Sequence, residues 1–152
     1  MFRLPYSISC LSDGTYQLHF RTLGQHTFMQ ASTLGRAFDH ANHDLPRLLQ
    51  LIIQEQSLDR IRQIFARPLP GEAAYPFRMS LSLKIALLLA CKERQFHNSD
   101  LAQRMNLRPS EAHRLLRLSH KTKIDTLIRA FHVLGIRVEF SLIDRTKNDA
   151  TS

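Results

Sequence analysis

The sequence predicts an α+β protein in two parts: an N-terminal three-stranded meander with a helix laid across it, then an all-α domain carrying a helix-turn-helix and ending in a strand. Three observations predict this. Apolar residues alternate with polar ones at Tyr6, Ile8 and Cys10 and again at Tyr16, Leu18 and Phe20, the period of half-buried strands. From Leu34 onward the apolar residues recur every three or four positions, the period of a helix face. The charge is also split: residues 1–75 hold 7 Lys and Arg against 6 Asp and Glu, whereas residues 76–152 hold 14 against 7, which accounts for most of the net +8.

Asp13-Gly14 lies between the first two strand patterns and predicts a hairpin, because both residue types accept a positive φ. A third short strand is expected over Thr27 to Met29, after the Leu23-Gly24 break. Ser32 or Thr33 then caps a helix whose face is Leu34, Ala37, Phe38, Ala41 and Leu45. Pro46 is expected to interrupt it, with Asp44 capping a fresh start, since an interior proline costs about 3 kcal/mol. Leu48, Leu49, Ile52 and Ile53 continue an apolar face, and Leu58, Ile61, Ile64 and Phe65 add one or two more turns. The stretch from Arg67 to Pro76 holds three prolines and a glycine and is read as a linker that neither helix nor sheet accepts. The domain boundaries that follow are 1–66, a linker at 67–77, 78–143, and a polar tail at 144–152.

In the second half, Ser80 or Ser82 is expected to cap a helix bearing Leu81, Ile85, Leu88 and Leu89. Leu101, Met105, Leu107, Ala112 and Leu115 then fall at the spacing a helix-turn-helix demands: two on the first helix, one plugging the corner and two on the second helix. Ala102 sits where the helices cross, Asn106 at a corner that needs a left-handed backbone, and Pro109 in the first turn of the second helix. Thr122 and Asp125 resemble a capping box ahead of a helix with the stripe Ile124, Leu127, Ile128, Phe131 and Leu134, which Gly135 stops. Ile136, Val138, Phe140 and Leu142 then alternate with polar residues as a strand. That strand has no partner within its domain, so the same strand of a second copy is expected to cover it, giving a two-fold dimer. Whether dimers pair into tetramers is left open.

The outward residues of the second helix suggest a duplex-reading surface. Arg108, Ser110, Glu111, His113 and Arg114 are expected to face base edges, with Arg114 suited to a bidentate guanine contact. Asn98, Ser99, Arg117, Lys121, Thr122 and Lys123 are expected to hold phosphates, the first two through an electropositive helix start. The partner class is double-stranded DNA, and a two-fold dimer would suit a palindromic operator.

Other function classes fit less well. Cys10 and Cys91 each lie in an apolar run and are expected to be reduced core residues, which suits a cytoplasmic protein. The longest uncharged apolar run, Ile85 to Cys91, is far below the ~20 residues of a membrane span, so no membrane partner is expected. His19, His26, His40 and His43 lack the additional ligands that zinc requires, so no metal or cofactor is expected. The carboxylates of the first half, Asp13, Asp39, Asp44, Glu55, Asp59 and Glu72, are too scattered for two-metal nucleic-acid cleavage. The chain is read as a non-enzyme. A single-strand or RNA binder would need exposed stacking aromatics, and the sequence has no Trp.

Taken together, Leu83-Lys84-Ile85, Asp100-Leu101-Ala102-Gln103-Arg104, Arg114-Leu115, Thr122-Lys123-Ile124-Asp125 and Leu134-Gly135 resemble the HicB antitoxin family, in the branch with a helix-turn-helix rather than a ribbon-helix-helix. In the first half, Asp13-Gly14-x-Tyr16-x-x-x-Phe20 and Thr33-Leu34-x-x-Ala37 resemble the family's hairpin and helix start. The resemblance implies a degenerate RNase H-like fold for residues 1–66, serving to bind a HicA-like mRNA-cleaving toxin and cover its catalytic histidine. It implies that residues 78–143 repress the shared operon. The chain departs from the family at Arg21-Thr22-Leu23-Gly24, at Met29-Gln30-Ala31 and in the longer segment from Ser57 to Ala66. A stand-alone dimeric repressor without a toxin is the alternative.

Overall fold

The computed structural model describes residues 2–24, 27–144 and 146 and is α+β, with one four-stranded antiparallel sheet and six α-helices. Strands β1 (Pro5–Cys10), β2 (Tyr16–His19) and β3 (Phe28–Ala31) form the expected meander, with Leu18 opposite Ile8 on one side and Met29 on the other. The hairpin turns at Gly14, whose φ is +83°, and the Asp13 carboxylate accepts hydrogen bonds from the Thr15 amide and hydroxyl. His26 and residues 145 and 147–152 of the expected polar tail lie outside the described residues.

The segment expected to be a linker contributes a fourth strand. β4 (Ala73–Ala74) pairs with Tyr6 and Pro5, and the neighbouring Tyr75 amide donates to the Leu4 carbonyl at 2.8 Å. The prolines at 68, 70 and 76 bar only their own positions from pairing, and the residues between them are free to extend. Tyr75 is buried against Tyr6 and Phe20, and its hydroxyl donates to Asn42 at 2.6 Å. Burial pushes that phenol up to about 12.

Helix α1 (Leu34–Glu55) runs through Pro46 without a break, contrary to the expected restart at Asp44. Thr33 caps it, accepting from the Arg36 amide. Leu45, Pro46 and Leu49 are all buried, so the apolar face continues across the proline and its packing offsets the lost hydrogen bond. Asp44 instead lies exposed beside His43, 2.9 Å away. After a cap by Ser57 comes α2 (Leu58–Ile64).

The remaining helices are α3 (Met79–Glu93), α4 (Asn98–Met105), α5 (Pro109–Leu116) and α6 (Ile124–Val133). Their starts differ from the expected caps. α3 begins after Arg78, so Ser80 and Ser82 already lie inside it. At α4 the cap position is His97, whose amide donates to Asp100 at 2.8 Å, so Asn98 and Ser99 are helical. At α6 it is Lys123, with no side-chain cap from Thr122. Gly135 does end α6, with φ +73°, and the Gly135 and Ile136 amides return to His132 and Phe131.

The core forms two clusters. One joins the sheet to the first half of α1 with Ile64 and Tyr75. The other joins α3 to α6 with Leu49 and Ile53 of α1 and Ile61 of α2, so α1 is common to both. The Gln50 side chain reinforces this, accepting from the Leu118 amide at 2.6 Å and donating to the Leu116 carbonyl at 3.3 Å.

Two further expectations need correction. Residues 136–143 are not a strand within the single chain: Ile136 and Val138 pack on the helical cluster, whereas Phe140, Leu142 and Ile143 are 54%, 102% and 76% exposed. A strand needs a pairing partner, and none lies beside this segment among the described residues. Cys91 is buried as expected, but Cys10 is exposed at the end of β1, past the residues that β4 and α1 cover. No helix among the described residues is long and apolar enough to cross a membrane.

Candidate nucleic-acid interface

Helices α4 and α5 meet at a corner set by local chemistry. Asn106 has φ +53° and ψ +47°, the left-handed conformation that lets the chain reverse, and the Leu107 amide returns to the Ala102 carbonyl at 2.8 Å. Leu101, Ala102, Ala112 and Leu115 are buried, and Met105 and Leu107 are half-buried against the same cluster. A small side chain at Ala102 and Ala112 allows the close approach. Pro109 occupies the first turn of α5, where no amide hydrogen is needed. Arg104 lies over the Phe96 ring, 5.2 Å from its centre, and steadies the loop before α4.

Burying those residues leaves Arg108, Ser110, Glu111, His113, Arg114 and Arg117 exposed. Glu111 has a local task as well, since its carboxylate accepts from the Arg108 amide at 2.8 Å and closes the start of α5. Glu111, Arg114, Lys121, Thr122 and Lys123 converge on one cleft of about 360 Å³, joined there by Arg129 of α6. Asn98 and Ser99 are exposed but line a different cleft, with Gln54, Lys92 and Leu116. Among the described residues, no group of three or more His, Cys, Asp or Glu converges as a metal site would require.

Sequence reasoning missed two contributors. Arg129 was available as the residue one turn after Thr126 on the polar side of α6. Lys84 is the other. It is 2% exposed on α3, and its ammonium donates to the carbonyls of Arg114 at 3.1 Å, Arg117 at 2.8 Å and His120. These are the last turn of α5 and the loop that carries Lys121, so one buried cation fixes the loop relative to the helix. Burial pulls Lys84 down to about 8, and the three carbonyl acceptors favour its charged form against that pull.

The arrangement is a rigid helix corner with a cationic, hydrogen-bonding outer face and a basic cleft alongside it. No protein-family model matches the chain. Antitoxin HicB 2 of Photorhabdus laumondii is 35% identical over 82 residues, 54% of this chain and 59% of that relative, so the chain spans somewhat over half the length of that relative. Antitoxin HicB 1 of the same organism is 24% identical over 143 residues, 92% of this chain and 86% of that relative. The chain is thus similar to two proteins named as HicB antitoxins, to one over about half its length and to the other over most of it.

Proposed function

We propose that the chain is the antitoxin of a type II toxin-antitoxin system: its sheet half binds and neutralises a HicA-like mRNA-cleaving toxin, and its helical half represses its own operon. It acts in the cytoplasm by binding rather than by catalysis. The observation that carries the DNA reading is the exposed outer face of α5, which we read as the recognition helix of a helix-turn-helix. Arg108, Ser110, His113 and Arg114 meet base edges, while Lys121, Thr122 and Lys123 hold the backbone from the adjoining cleft. The names of the relatives supply the antitoxin role, and the RNase H-like reading of the sheet half rests on the family resemblance.

The dimer reading is supported by the uncovered Phe140, Leu142 and Ile143, which pairing of residues 136–143 with a second copy would bury. Two substitutions test the DNA roles. Arg114→Ala is expected to cost about 1–3 kcal/mol at a single base position of each half-site, whereas Lys123→Ala weakens every duplex alike and flattens the salt dependence by about one unit per bound protomer. Equal behaviour of both variants on own-promoter and scrambled duplexes overturns the assignment.

The toxin arm is tested by co-expression with a neighbouring reading frame of under about 100 codons, the size of a small single domain. Co-purification and loss of mRNA cleavage are expected. A stand-alone repressor is the second reading, favoured by the altered Arg21–Leu23 turn. That turn is anchored, with Arg21 Nε 2.6 Å from Glu72 and the Thr22 hydroxyl donating to the Ile64 carbonyl at 2.7 Å. The absence of any co-purifying partner supports this second reading.

A further inference from the structure

A second cleft, of about 420 Å³, lies on the far side of the loop that borders the proposed recognition helix. Residues His120, Lys121 and Thr122 line both clefts, so the loop is a ridge between them. Beyond the ridge, the wall is built by Asn42 and Arg47 of α1 and by Arg78 at the start of α3. Asp39 is the one carboxylate there. Arg47, Arg78 and Lys121 are exposed, and none of the three makes an ion pair with a carboxylate among the described residues.

The wall is rigid. Arg47 follows the buried Pro46, and Gln50, one turn along the same face, is hydrogen-bonded to Leu116 and Leu118 at the base of the ridge. From below, Lys84 holds the His120 carbonyl. Three exposed cations without carboxylate partners among the described residues, carried on α1, the start of α3 and the ridge, line one cleft with polar Asn42 and Ser80, a lining that suits phosphodiesters.

We infer that this cleft takes the sugar-phosphate backbone of duplex DNA flanking the half-site read by α5, so that Arg47 and Arg78 extend the DNA footprint beyond the helical domain onto α1. The inference rests on the DNA reading proposed above. It makes the first half of the chain part of the DNA-binding surface, although its net charge is close to zero.

The test is a salt titration of binding to a duplex of about 40 base pairs, roughly four helical turns, taken from immediately upstream of the gene. The proteins are the full chain, Arg47→Gln with Arg78→Gln, Arg47→Lys with Arg78→Lys, Lys123→Gln, and Arg114→Ala. Loss of two phosphate contacts per protomer is expected to flatten the slope of log affinity against log salt by about 1.8 for each protomer bound, and to weaken binding by at least tens of fold near 0.1 M salt. Preference over a scrambled duplex is unchanged, and the lysine pair keeps most of the slope. If the glutamine pair binds like the wild type while Lys123→Gln is weakened, the cleft inference fails and the DNA reading stands. If Lys123→Gln and Arg114→Ala are also unchanged, the DNA reading itself fails. If the glutamine pair keeps full DNA affinity but releases a co-purified partner protein, the cleft is a protein contact and the inference is overturned.

Discussion

Replacing Lys84 by Met tests whether a buried cation organises the proposed DNA face from behind. Lys84 donates to three carbonyls, and a hydrogen bond to a charged group contributes about 1.5–3 kcal/mol. Two of the carbonyls keep other donors: the Arg117 amide reaches Arg114 at 3.2 Å, and the His120 amide reaches Arg117 at 3.1 Å. The His120 carbonyl has no other donor among the described residues, so the loss is concentrated there. Methionine in turn spares the burial of an ammonium, which offsets part of the loss. The net expectation is about 2 kcal/mol of destabilisation in urea melts at pH 7, with weaker duplex binding because the loop carrying Lys121 loosens. The pH dependence has a definite sign. Burial lowers Lys84 from 10.5 to about 8, so between those values the unfolded chain binds more protons than the folded one, and wild-type stability rises with pH. Lys84→Met lacks that rise, so the gap between the two proteins widens from pH 8 to 10. A variant within about 0.5 kcal/mol of wild type at pH 7 refutes the role, and a gap that narrows with pH refutes the dominance of burial over the carbonyl acceptors in setting the Lys84 pKa.

Leu101→Ala empties a fully buried site at the helix corner and is expected to cost about 3–4 kcal/mol, read by denaturant melts. Asn106→Gly is expected to be near neutral, whereas Asn106→Ala costs about 1–2 kcal/mol because alanine is strained at φ +53°; equal melting of the two variants contradicts the corner geometry. Gln50→Leu leaves the Leu118 amide without its acceptor, so hydrogen exchange at Leu118 is expected to accelerate; unchanged exchange argues that α1 does not brace this loop. Phe140→Lys with Leu142→Lys is expected to convert a dimer to a monomer in sedimentation without lowering the stability of the helical core, since both side chains are exposed in the single chain.

The elements legible in the sequence are those whose signal is local. Period-two alternation located β1 and β2, the Leu23-Gly24 break located the first half of β3, and Asp13-Gly14 located the turn, because these signals act over a few residues. The corner at Asn106 was legible for the same reason: five apolar positions fix the packing, and one residue tolerates the backbone. Misreadings arose where a local cost is overridden by distant packing. Pro46 carries its usual penalty, yet burial between Leu45 and Leu49 holds α1 straight through it. Ala73 and Ala74 have weak strand propensity and pair only because Tyr75 anchors them beside Tyr6.

The candidate site divides along the same line. Its outer residues follow from the corner, since with Ala112, Leu115 and Leu116 turned to the core the remaining residues of α5 face outward. Its supports do not follow, because a lysine one turn from Leu81 and Ile85's neighbour reads as an ordinary break in an apolar stripe. Only the fold shows that the break faces the end of α5 and the loop after it, where the His120 carbonyl has no backbone donor among the described residues. A buried cation at a helix C-terminus answers that deficit directly, and Gln50 answers the amide left free one residue beyond Arg117. The polar residues on the buried side of α1 and α3 are therefore matched to the unpaired backbone of the α5–α6 connection. This is why α1, although it begins on the sheet, ends as part of the frame that holds the outward-facing helix.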